Sequence, residues 1–246
     1  MSHTNDLSSA PAAFHNSNNN TVYLLKGYSP RSKQIHNFIH ELLHEYSNNY
    51  KNYGKCGLNV YGYDENNKLI SVGGVINEAA TEFLTSIINN DGFIGYNDDM
   101  KYIFEIFIDI INIRKDFVSM YFQKENWISD EMNKKFNSSK PYQLDEFIVE
   151  LDNRLPMYRK KPYDFNKVFA ILIDAVFDKL KNNMMIDYQS ILNNLYILAK
   201  CDFDLKNDNI AKLKNLEEIL DYKYGIHYVI KDEKINKEEG KISISF

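Results

Sequence analysis

The sequence predicts an α+β protein that is predominantly α-helical, with a small β-sheet or hairpin early in the chain and a helical C-terminal half. Three observations predict it. Beyond residue 96, apolar residues recur mostly at the i, i+3, i+4, i+7 spacing of a helix face. Runs with strand character are short and confined to residues 21–74 and the C-terminal end. The 246 residues, 44% hydrophobic and 26% charged, suffice for one large core or two small ones.

Taken in order, residues 1–20 (MSHTNDLSSAPAAFHNSNNN) are polar, with no basic start and no apolar stretch, and read as a disordered lead-in rather than a secretory signal. Thr21–Tyr28 (TVYLLKGY) has strand composition. After Pro30, Ile35, Phe38, Ile39, Leu42, Leu43 and Tyr46 form one stripe of an amphipathic helix starting near Ser32. Gly57–Tyr63 and Leu69–Gly74, separated by Asp64-Glu65-Asn66-Asn67, predict a hairpin, and a second helix follows over Asn77–Asn89.

Asp98–Tyr121 predicts one long apolar helix. Trp127–Phe136, Leu144–Leu151, Asp164–Lys181, Tyr188–Ala199 and Ile210–Tyr222 predict five more. The aromatic stripe Phe104, Phe107, Phe117, Tyr121 and Phe122 is assigned to the core. The end of the chain, YGIHYVI and KISISF around KDEKINKEEGK, alternates like two strands. Any internal boundary falls near Lys140-Pro141 or Lys161-Pro162; a single α-rich unit is the preferred reading.

Composition narrows the function classes. Twenty-nine basic and thirty-four acidic residues give a net charge of −5, which argues against nucleic-acid binding. The most apolar stretch, Val168–Phe177, contains Asp174 and is about half the ~20 residues needed to span a bilayer, so no membrane association is expected. Two cysteines, Cys56 and Cys201, build no disulfide framework. A cytoplasmic protein is the plain expectation.

The informative residues are His40-Glu41-Leu42-Leu43-His44. Four helical residues turn through ~400°, so both imidazoles project from one face a single turn apart. Zinc takes nitrogen ligands at ~2.0–2.1 Å, and this spacing fills two of its four positions, while Glu41 is adjacent without ligating. With six histidines in the chain, chance supplies ~0.01 such matches. A third ligand must come from another element. Glu78 and Glu82, four residues apart on the second helix, face one way, so one can bind the ion while the other accepts the free ring N–H of a ligating histidine. The competing reading is an acidic first turn that complements the helix dipole.

In these two segments, His40–His44 and Asn77–Glu82, the chain resembles the gluzincin metallopeptidases. In those zincins HExxH is completed by a glutamate in N-E-x-x-[ST]-[DE] on a second helix, as in the thermolysin-like enzymes. It is more similar still to small intracellular bacterial members in which a glycine-containing strand leads into N-E-x-x-T-E-x-L-T, here Gly73–Thr85. The resemblance covers roughly Ser32 to Tyr121. It implies His40, His44 and Glu78 as Zn²⁺ ligands, Glu41 as general base and Glu82 as the partner of a ligating histidine. It also implies a zincin-like catalytic core over residues 21–139 and a helical subdomain over 140–246 ending in a β-hairpin.

The implied activity is hydrolysis of a peptide or protein substrate through a zinc-bound water activated by Glu41. Two other readings stand beside it: a non-catalytic, zinc-stabilised regulatory or interaction protein, and a toxin or effector peptidase. The sequence departs from the family in its longer interval of 34 positions between His44 and Glu78, filled by the predicted hairpin, and in Glu45 directly after the second histidine. Glu45 is expected ~100° away from His44 on the helix. His36 is read as polar surface or rim. His227 and Tyr96 are the remaining candidates for stabilising an oxyanion.

Overall fold

The computed structural model describes residues 13–16, 21–24, 31–49, 55–63, 66–67, 69–91, 98–123, 126–155, 161–201 and 204–228. β1 (Ala13–Asn16) pairs antiparallel with β2 (Thr21–Leu24), with Ala13 opposite Leu24, and both strands pack on α1 (Arg31–Ser47). β1 lies inside the stretch expected to be disordered. Four residues are too few for alternation to show, but pairing with β2 satisfies the backbone and Ala13 is buried.

β3 (Asn48–Asn49), β4 (Lys55–Cys56), β5 (Asn59–Tyr63) and β6 (Leu69–Val72) form an antiparallel sheet in that order. The expected hairpin is its β5–β6 half, with Val60 opposite Val72 and Tyr63 opposite Leu69. The β4–β5 turn is clamped from both sides: Leu58 N–H donates to Asn77 Oδ1 (2.7 Å), and Leu58 C=O accepts from Trp127 Nε1–H (2.8 Å). Gly57 at this turn has φ +55°, and a Cβ there would sit 2.1 Å from Asn77 Oδ1. Only glycine fits.

α2 (Gly74–Asn89) starts three residues earlier than expected. No local side chain caps it. Its first amides are met by Asp152, whose carboxylate accepts from Gly73 N–H (2.8 Å) and Val75 N–H (3.0 Å). A cap supplied 79 residues downstream leaves no local sequence signal.

The expected helix over 98–121 is two, α3 (Asp98–Ile110) and α4 (Phe117–Phe122). Asn112 adopts φ 53°, its N–H donates to Asp109 C=O, and Ile113 N–H donates to Ile108 C=O, both at 3.1 Å. That is a Schellman stop with asparagine in the place usually held by glycine. α5 (Asp130–Phe136), α6 (Gln143–Asp152), α7 (Phe165–Lys181), α8 (Tyr188–Cys201) and α9 (Asn207–Tyr224) complete nine helices among the described residues. Ser129 and Asp164 cap α5 and α7 with their side chains.

Tyr224 ends α9 and Gly225 (φ 65°) terminates it, so residues 224–228 are not the expected strand; Val229, Ile230 and the KISISF segment lie outside the described residues. One cluster of buried apolar side chains runs from Leu43 of α1 to Leu220 of α9. α3 is its axis, with Phe107 against Trp127, Phe136 and Phe147. Phe104, Phe117 and Tyr121 are buried as expected, but Phe122, also assigned to the core, is exposed at the end of α4. Against this core α1 and α2 lie side by side. No helix among the described residues is long and apolar enough to cross a membrane.

Candidate metal centre

α1 presents His36, His40 and His44 at four-residue steps towards α2, which presents Glu78 and Glu82 at the same step. Both helices therefore face each other along one stripe. His40 Nε2 lies 3.1 Å from His44 Nε2 and 3.3 Å from Glu78 Oε2, and His44 Nε2 lies 3.4 Å from Glu78 Oε2. The three side chains are 10%, 12% and 17% exposed, for His40, His44 and Glu78 respectively. They form a group placed to hold a metal ion.

The triangle itself tests the fit. Ligand atoms ~2.0–2.1 Å from a tetrahedral ion stand ~3.3–3.4 Å from one another, close to the separations here. Two nitrogens and one carboxylate oxygen also match the donor set of an open zinc site, with the fourth position left for water or substrate.

The outer contacts orient the histidines. His40 Nδ1–H donates to Glu82 Oε2 at 3.0 Å, which turns Nε2 towards the triangle. Glu82 is buried, and its other oxygen, Oε1, accepts from His36 Nε2–H at 2.8 Å. His36 Nδ1 in turn lies 2.9 and 3.0 Å from the two oxygens of Asp91. On the other side, His44 Nδ1 lies 3.4 Å from Asn77 Nδ2 and 4.0 Å from Cys56 Sγ, and the Cys56 thiol donates to His44 C=O.

Burial opposes charge on each member of the triangle, and their mutual attraction outweighs it. Against burial, the Glu78 charge and hydrogen bonds to Glu78 and Cys56 hold His44 well above the usual imidazole range. His40 is raised likewise, against burial, by hydrogen bonds to Glu78 and Glu82. Burial would push the Glu78 carboxyl up, but the His44 charge and hydrogen bonds from both imidazoles hold it far below the ordinary carboxylate range. The pocket calls for positive charge against Glu78, which protons or a divalent ion can supply.

The structure brings together His40, His44, Glu78 and Glu82. Glu41 lies on α1 between the two histidines and is partly exposed, in reach of water. Because α2 begins at Gly74, Glu78 and Glu82 fall beyond its first turn, so the dipole-complementing reading of that pair is set aside. His36 is not surface or rim: it is 1% exposed, because its ring bridges Glu82 and Asp91. His227 sits after α9, 65% exposed, 3.8 Å from Asp221, and its backbone carbonyl accepts from Gln189. At that exposure its ring is offered largely to solvent. Tyr96 lies outside the described residues.

Sequence reasoning missed Asp91 and Cys56 as neighbours of the centre, and neither carries a local signal. His36 did carry one, since the four-residue step placing His40 and His44 on one face extends back to it. Comparison with protein-family models, curated proteins and solved structures finds no match to this chain.

Proposed function

We propose that the protein is a zinc-dependent metallopeptidase of gluzincin type, with a zincin-like core and a peptide or protein as substrate. The observation that carries this reading is the convergence of both HExxH imidazoles with the Glu78 carboxylate, separations of 3.1–3.4 Å, beside a glutamate that backs the first imidazole. His40, His44 and Glu78 hold the ion. When bound, zinc supplies Lewis acidity to water and to a scissile carbonyl.

The remaining work falls to the chain's own residues. Glu41 accepts the proton of the attacking water and returns it to the nitrogen of the leaving amine. Glu82 keeps Nδ1 of His40 protonated and Nε2 turned inward. β1–β2 and the four-stranded sheet both border α1, and either offers a strand edge along which an extended peptide can align. A cytoplasmic location belongs to the same reading and suits two cysteines that form no disulfide.

The test compares zinc-loaded wild type with Glu41→Gln against a mixed peptide pool, with cleavage read by mass spectrometry. Glu41→Gln should keep its zinc and lose about 10²–10⁴-fold in rate, the range for a missing general base. Zinc retained with no cleavage by wild type, or Glu41→Gln equal to wild type, would reject the peptidase and leave a structural ion in an interaction protein.

A further inference from the structure

Glu82 is shared. One oxygen serves His40, the other serves His36, and His36 is held from its far side by Asp91 just past the end of α2. Reading outward from the triangle, the groups alternate between the helices: His40 on α1, Glu82 on α2, His36 on α1, Asp91 after α2. Both ring nitrogens of His36 face carboxylate oxygens at hydrogen-bond distance. Each Glu82 oxygen is tied to a different residue of α1, which limits rotation of the carboxylate about its last torsion.

We infer that His36 is a positioning residue of the metal centre, braced by Asp91 and acting through Glu82 to hold the His40 ring with Nε2 towards the ion. The inference rests on the metal reading above and extends it to residues that touch neither metal nor substrate. A plain helix–helix polar contact predicts something different. Its loss would weaken packing of α1 on α2 without a selective effect on the ion.

The experiment measures Zn²⁺ affinity by competition with a chromophoric chelator, and unfolding midpoints alongside, for wild type, His36→Leu, His36→Gln, Asp91→Asn and the distant core variant Leu213→Ala. Partners one step removed from metal ligands typically change affinity 10- to 100-fold. His36→Leu should therefore bind zinc about 10- to 100-fold more weakly. His36→Gln, whose amide still donates to Glu82, should recover most of that loss, and Leu213→Ala should leave affinity unchanged at a comparable loss of stability.

In the Co²⁺-loaded protein, the exchangeable Nδ1–H resonance of His40 should be present in wild type and broadened away in His36→Leu. Should His36→Leu not fold, Asp91→Asn decides the matter. It sits at the partly exposed end of the brace and should weaken zinc by about tenfold, the low end of the same range. Wild-type affinity in His36→Leu, or an equal loss in Leu213→Ala, overturns the inference while leaving the metal site standing. Failure of wild type itself to bind zinc removes the site and the inference together.

Discussion

Glu82 offers its two oxygens to two imidazoles, and its neighbour Glu78 completes a triangle with the next pair of nitrogens. Their separate roles predict different losses. Glu78→Gln removes the charged ligand and should abolish measurable zinc uptake. Glu82→Gln leaves three ligands but places an amide N–H against a ring N–H, and should weaken zinc about 10- to 100-fold. Chelator competition on the two variants distinguishes them, and equal affinities would contradict the assignment. A third carboxylate, on α7, is held by a different set of donors. Asp178 accepts hydrogen bonds from the backbone N–H groups of Ser138 (2.8 Å) and Ser139 (3.1 Å) and from both hydroxyls. Burial would raise its carboxyl, but these bonds hold it below the usual aspartate range. Its stabilisation is thus present above the unfolded value near ~3.9 and is lost as pH falls through the lower folded value. Asp178→Asn should lower stability at pH 7 by about 1.5–3 kcal/mol, with the difference shrinking below about pH 4, as urea unfolding at pH 7 and pH 3 would show. A gap that stays constant with pH would contradict the account.

At the scale of elements, the position of α2 decides the centre, and α2 is held by a residue from another helix. Asp152→Ala leaves the amides of Gly73 and Val75 without their carboxylate and should cost about 1–2 kcal/mol, with faster hydrogen exchange concentrated in the first turn of α2. Exchange unchanged there would show the cap to be dispensable. The same residues explain what was legible in the sequence. The helical stripes of α7 and α8 were readable because each buries one face, and the hairpin because two β-rich runs flank a polar turn. α1 was readable as a helix, but of its expected apolar stripe Ile35, Phe38 and Tyr46 are exposed, and the face it buries carries His36, His40 and Leu43. The start of α2 was not, since its cap comes from α6. The break between α3 and α4 was missed because Asn112, not glycine, takes the left-handed position. β1 was missed because its partner strand, not its own pattern, makes it a strand.

For the molecule as a whole, the apolar cluster runs from α1 and α2 through α3, α6, α7, α8 and α9 without drawing on the metal triangle, so the account predicts a fold that stands without an ion. Metal should add stability by mass action: about 2.7 kcal/mol at free zinc 100-fold above Kd, or roughly 5–10 °C in Tm for a chain of this size. Chelation should lower Tm by that amount with helical circular dichroism retained. Loss of the helical signal would mean that the ion builds the fold. The grouping of His40, His44 and Glu78 was legible for a related reason: HExxH and the Glu78/Glu82 pair depend on spacing within single helices, whereas the Asp91–His36 contact depends on how two helices meet. The most direct test is anomalous diffraction at the zinc edge from crystals equilibrated with one equivalent of Zn²⁺. The account predicts a single strong peak ~2.0–2.2 Å from His40 Nε2, His44 Nε2 and a Glu78 oxygen. A peak elsewhere, or none with Glu78 turned away from the histidines, would contradict it.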